Sequence, residues 1–228
     1  MMATSGEGEP LEKRVVLYGV GSPLVVYAEE SCARAGIEIV AGVHNVDGTA
    51  YVSDSVRVIS RSEVTDAERA CGVLVVLFTP GHRHAAFEDA LRAGFSRAAT
   101  VVDPTSVVAR SARIGAGVFI NAGCVIAGAC RLGDQVLINR SASIGHHADI
   151  GDYVSIAPGA LLAGNVTIGR GAMIGAGAVI LSEVAIGENA VIAAGSVVRR
   201  SVAANCLAEG NPARVTKTDF GGYKGILV

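Results

Sequence analysis

Every sixth residue from Val108 to Val198 is isoleucine, leucine or valine, and no step misses. The series runs Val108, Ile114, Ile120, Ile126, Leu132, Ile138, Ile144, Ile150 and on in the same way to Ile192 and Val198. A second series, two residues earlier, holds only small apolar side chains, from Ala112, Val118 and Cys124 to Val184 and Ala190. An amphipathic helix needs apolar positions every 3.6 residues and cannot satisfy this pattern. In a strand, positions two apart share one face, so the small and the large residue of each hexapeptide point inward together. The other residues turn a corner, and a fixed period of six is that of a stacked parallel β-helix. Three corners close one coil of 18 residues, and this longer period is visible by itself in Gly115, Gly133, Gly151, Gly169 and Gly187. It recurs in Gly123, Gly159, Gly177 and Gly195, with Ser141 in the one gap. Glycine is expected at such corners because it tolerates positive φ.

The chain has 228 residues, enough for one or two domains. Upstream of the repeats, short apolar runs alternate with helical segments. Strands are expected at 15–18, 37–41, 56–59, 73–78 and 99–102, and helices at 23–35, 62–70 and 82–93. That alternation predicts a small parallel α/β domain of Rossmann type. The expected organisation is a disordered tail over 1–13, the α/β domain over 14–103, the β-helix over 104–202 and a C-terminal cap and tail over 203–228. Aromatics make up 4 %, there is no tryptophan, and the net charge is −2 without a basic run, so nucleic acid is not an expected partner. The polar start lacks an apolar signal core, and the longest apolar run, 73–78, is too short to span a bilayer. The chain therefore reads as cytoplasmic, with no membrane partner. Cys124 and Cys130 fall on the inward small series and read as packing residues.

Several motifs carry a resemblance across nearly the whole chain, from about 14 to 216. They are the glycine turn Gly19-Val20-Gly21-Ser22-Pro23, the join Asp103-Pro104-Thr105, the corner Ile144-Gly145-His146-His147, the run Gly164-Asn165-Val166-Thr167-Ile168-Gly169, and Gly210-Asn211-Pro212-Ala213. With them the chain resembles the sialic acid O-acetyltransferase family, hexapeptide-repeat acyltransferases that include N-acetyltransferases of nucleotide-linked sugars. The resemblance implies a left-handed coil, acetyl-CoA as co-substrate, and acetyl transfer to an amino or hydroxyl group of a sugar, expected to be nucleotide-linked. A homotrimer is implied too, with active sites between rods. The reading from a different class is a non-catalytic trimeric scaffold built on the same rod.

Stacking arithmetic places Gly128 and Gly164 directly below and above His146. An imidazole base beside a bare backbone donor is what acyl transfer needs. The base takes the proton of the attacking group, and the donor stabilises the oxyanion. The resemblance implies the same: His146 as general base, Gly164 at the thioester carbonyl, and coenzyme A contacts near Ser155, Ala176 and Ala194. Asn139 matches a polar position of the family, and it also stacks over Asn121 as an asparagine ladder would. An acidic residue usually follows the family's histidine; here His147 stands there. In the α/β domain the resemblance implies acceptor binding by Gly19, Gly21, Ser22, Pro23, Asn45 and Thr79. Leu24 replaces a third glycine, and Asn45 and the run Thr79-Pro80-Gly81-His82 depart from the residues expected to read UDP. Zinc is not expected, because only His146 and His147 fall in the β-helix and no third ligand stacks with them.

Overall fold

The computed structural model describes residues 13–46 and 48–228. The expected N-terminal tail, but for Lys13, and Asp47 lie outside these residues.

The N-terminal α/β unit has β1 (Arg14–Tyr18), α1 (Val25–Ala35), β2 (Glu38–His44), β3 (Val58–Ser60), α2 (Asp66–Arg69), β4 (Gly72–Val75) and α3 (Pro80–Arg92). All four strands run parallel in the order β3-β2-β1-β4. β1 and β4 are almost wholly buried, as apolar runs covered on both faces must be. Helix α1 ends where Gly36 adopts φ 66° and its N–H returns to the carbonyls of Cys32 and Ala33. Helix α3 opens with Pro80 at its first position, where the missing N–H costs nothing.

The remainder is a left-handed parallel β-helix, with two-residue strands stacked in three flat faces. Pairing follows the 18-residue step, as in Ser143↔Leu161 with Ile144↔Leu162. The inward series forms one continuous buried column, from Val118 and Ile120 to Ile192 and Val198. Each face meets different surroundings. Face 1 begins with Val101–Val102 and Phe119–Ile120 and ends with Leu207–Gly210. Its outward Phe119 and Leu137 are buried against Val25, Ala28 and Cys32 of α1, so the α/β unit covers it. Face 3, with outward Arg113, Arg131, Asp149 and Thr167, is polar, and Arg131 pairs with Asp149 at 2.6 Å. Face 2 points Val107, Val125 and Leu161 outward with 64 %, 45 % and 45 % exposure.

Two expectations change. The last strand expected for the α/β unit, 99–102, does not complete its sheet. Val101–Val102 pairs with Phe119–Ile120 and is the first rung of the β-helix, and only Ala98 bridges back, to Val73. The two glycine series also differ in cause. Gly123, Gly159, Gly177 and Gly195 have φ near +70°, and Ser141 follows them at 58°. Gly115, Gly133, Gly151, Gly169 and Gly187 do not: there a Cβ would lie 2.9 Å or closer to atoms of the next coil, so close stacking excludes a side chain.

Two buried polar groups fix the units to each other. Asp103 accepts from Ser31 Oγ at 2.6 Å and Arg34 Nη2 at 2.6 Å, and from Thr105 N at 2.9 Å. Arg83 of α3 is inserted into the coil wall. Its Nε donates to Gln135 O at 2.8 Å, Nη2 to Tyr153 O at 2.7 Å, and Nη1 to Ser155 Oγ at 2.9 Å. Carbonyl acceptors replace the water that a buried guanidinium gives up. The cap expected after residue 202 is an antiparallel hairpin, Leu207–Gly210 with Ala213–Lys217, turned by Gly210-Asn211-Pro212-Ala213.

Candidate active site

His146 stands on the corner between face 2 and face 3, beyond the strand Ser143–Ile144, and is exposed. The Cε1–Nε2 side of its ring lies against Gly164 of the next coil. A methyl group added at Gly164 would sit 2.5 Å from His146 Cε1, 2.6 Å from Nε2 and 3.1 Å from Nδ1. The 18-residue stacking thus puts the imidazole against bare backbone, as the arithmetic predicts. Gly128, on the other side, does not touch the ring; a methyl there would meet Ser111 Oγ. His147 takes a left-handed conformation, φ 57°, which turns its ring back towards its neighbour. The two Nδ1 atoms are 3.0 Å apart and the rings meet edge to face. One Nδ1 must then carry a proton and the other accept it. The position that resembling enzymes give to an acid holds an imidazole that can accept the Nδ1 proton of His146, leaving Nε2 with a free lone pair.

Of the other expected donor-site residues, Ala176 and Ala194 lie at a different corner, between face 1 and face 2, where Asn139 and two residues expected to bind the acceptor, Ser22 and Pro23, join them. A cavity of about 800 Å³ there is lined by Ser22, Pro23, Asn139, Ala176 and Ala194, together with Phe78 from the strand-to-helix turn before α3. Its walls are mostly apolar. Asn139 is buried and does form the ladder: its Oδ1 accepts from Asn121 Nδ2 at 2.9 Å and from Arg140 N at 2.8 Å. It therefore lies away from His146 within one chain. Ser155 is fully buried, and its hydroxyl donates to Phe78 O at 2.6 Å and accepts from Arg83. Its side chain is committed to the domain seam and is closed to a ligand.

In the α/β unit, Gly19, Gly21 and Asn45 converge at the C-terminal edge of the sheet, the edge where such sheets bind ligands. Added Cβ atoms at Gly19 and Gly21 would face Asn45 Oδ1 at 3.6 Å and His44 Nε2 at 3.5 Å. His44 Nε2 is buried and makes no hydrogen bond to the described residues. His44 and Asn45 open into a second cavity of about 840 Å³, which also holds Ser60, Arg61 and Arg92. Arg61 and Arg92 both pair with Asp89, at 3.0 and 3.6 Å. Thr79 is buried at the start of α3 and makes no side-chain cap, so it serves packing. Ser22 is turned inward enough to accept from Leu24 N at 3.3 Å.

Sequence reading missed Arg83 and the segment 220–228. Arg83 sits in an ordinary helical stretch, and nothing local marks it as buried. Among the described residues no cluster of three or more His, Cys, Asp or Glu could hold a metal ion, and no helix is long and apolar enough to cross a membrane.

Residues 165–200 match the family described as bacterial transferase hexapeptide (six repeats). No curated protein matches the chain. Among solved structures, a complex of perosamine N-acetyltransferase from Caulobacter crescentus with CoA and GDP-perosamine is 27 % identical, covers 91 % of this chain and 98 % of its own, and has a TM-score of 0.80. The acetyltransferase domain of PglB from Neisseria gonorrhoeae FA1090 is 25 % identical over 89 % of this chain and 99 % of its own, with a TM-score of 0.79. WeeI from Acinetobacter baumannii AYE is 26 % identical, covers 88 % and 98 %, and has a TM-score of 0.72. These structures span both units, so the likeness concerns the order of domains as well as the repeat. With its α/β unit, its coil and its histidine corner, the chain is similar along nearly its whole length to acetyltransferases that join an N-terminal α/β unit to a hexapeptide-repeat coil, among them N-acetyltransferases of nucleotide-linked sugars.

Proposed function

We propose that this protein transfers the acetyl group of acetyl-CoA to an amino group of a nucleotide-linked sugar, with His146 as general base, and that it works as a homotrimer. The observation that carries the reading is His146 seated on Gly164 at one edge of face 2. The Ala176–Ala194 corner forms the other edge of the same face. Face 2 is also where the coil exposes its valines and leucines, an arrangement suited to burial against further copies. Packing face 2 around a three-fold axis brings the His146 corner of one rod beside the Ala176–Ala194 corner of the next. Each active site is then shared by two chains.

In this reading the His146 Nε2 takes a proton from the attacking amine. The amine carbon–nitrogen bond forms at the thioester carbonyl, and the oxyanion develops next to the Gly164 backbone. Collapse breaks the carbon–sulfur bond, and His146 returns its proton to the departing thiolate. His147 is a positioning residue: by accepting from His146 Nδ1 it holds the tautomer with Nε2 free. A hydroxyl acceptor would use the same groups.

Relatives solved with CoA, acetyl-CoA and GDP-perosamine support both the donor and the acceptor class. The Gly19–Gly21 turn, His44 and Asn45 supply the edge at which a nucleotide carrier would be read, and the loss of acidic partners there favours a carrier other than UDP. The test is free-thiol release from acetyl-CoA with a panel of UDP-, GDP- and dTDP-linked amino sugars. Turnover with one member is expected. Tight CoA binding with silence across the panel would sink the enzymatic reading and favour a scaffold.

A further inference from the structure

Beyond the hairpin, residues 218–228 turn back across face 1 instead of leaving the fold. Phe220 N–H donates to Asn205 O at 2.7 Å. Tyr223 meets Phe78 of the α/β unit edge to face, with ring centroids 6.2 Å apart. Ile226 fills a notch at Gly81, where a Cβ would lie 2.3 Å from Ile226 Cγ2. Val228 covers Gly171, and its N–H donates to Asn189 Oδ1 at 3.0 Å. The segment is therefore seated on both units at once. Gly81 is a poor residue for a helix, and the seat of Ile226 accounts for it.

This segment also supplies one wall of the 800 Å³ cavity at the Ala176–Ala194 corner, through Phe220, Tyr223 and Lys224. Among the described residues, Lys224 is the only cation lining that cavity, and Glu209 the only anion. Its backbone is left-handed, φ 58°, between Gly222 and Gly225, both also at positive φ. Coenzyme A has the complementary chemistry. Its pantetheine arm suits an apolar slot, and its diphosphate and 3′-phosphate suit a cation at the rim.

We propose that residues 220–228 form a strap that completes the donor site, and that Lys224 on it binds the phosphates of CoA. This rests on the reading that the donor lies along the Ala176–Ala194 corner, so both are tested together by calorimetry with CoA on the full chain. Lys224→Ala is expected to raise the Kd for CoA by about tenfold and Lys224→Glu further, with unchanged Tm, since the residue is exposed. The salt dependence of binding should flatten in both variants, as it does when a phosphate contact is lost. Ala194→Trp, which fills the corner, should abolish CoA binding. If Ala194→Trp does so but Lys224→Ala binds CoA as the wild type does, the strap proposal falls and the donor reading stands. If Ala194→Trp also binds normally, both fall.

Discussion

Gly164→Ala separates geometry from stability at the proposed active site. Gly164 does not have positive φ, so alanine suits its backbone, and the three atoms nearest the new methyl all belong to the His146 ring. At 2.5 Å from Cε1 the methyl is too close, and ordinary carbon contact near 3.4 Å requires the ring to retreat by roughly 0.9 Å. His146 is exposed and can swing away without disturbing the coil, so thermal stability should change by less than about 0.5 kcal/mol. A displacement of about 1 Å of a catalytic group costs on the order of 10²-fold, about 2.7 kcal/mol of transition-state stabilisation. Gly128→Ala is the matched control, because it adds the same methyl on the other side of the corner, away from the ring. The assay is kcat from thiol release under saturating acceptor, with Tm measured on the same preparations. Wild-type kcat in Gly164→Ala, or an equal loss in Gly128→Ala, would refute the placement of the base over Gly164.

Four further outcomes are expected. His146→Ala should lower kcat by about 10²–10⁴-fold; His147→Ala should cost less, with His147→Asn restoring activity because its amide oxygen can still accept, and an inactive His147→Ala beside a normal His146→Ala would reverse the roles. Leu161→Arg places a charge on face 2, and light scattering should find monomers without activity; an intact trimer would show that another face is buried. Burial opposes ionisation of Asp103, but hydrogen bonds from Arg34, Ser31 and Thr105 outweigh it and hold the carboxyl well below its usual range. Its contribution to stability is therefore complete above the ordinary carboxylate pKa of about 4 and is lost as pH falls through the lower folded value. Asp103→Asn should flatten the Tm profile in that acid window, and an unchanged slope would contradict the assignment. Arg83→Met should leave the carbonyls of Gln135 and Tyr153 unpaired in the domain seam and cost about 3–5 kcal/mol by chemical denaturation; a loss below about 1 kcal/mol would mean water replaces the guanidinium.

What the sequence determined by itself is whatever the 18-residue step makes local. Stacking is periodic, so the neighbour of any coil residue is found by counting. His146 over Gly164, Asn121 over Asn139 and the inward column of isoleucines were legible for that reason. The alternation of strand and helix likewise announced a parallel α/β unit, because apolar runs that short must be buried on both sides. Counting cannot say what lies against the outside of a coil. Ser155 repeats like any other outward residue, yet α3 packs over it and Arg83 takes its hydroxyl. Val101–Val102 could pair with either sheet, and a two-residue strand holds no information about which edge is nearer in space. Face 2 differs from face 1 only because the α/β unit and the segment 220–228 cover one and leave the other bare. Those contacts join residues 50 to more than 100 positions apart, as Arg140 Nη1 to Tyr27 Oη does across 113. No pattern within a window of sequence encodes such a pair, so the cavity at the Ala176–Ala194 corner, the domain seam and the exposed apolar face were decided by the tertiary structure alone.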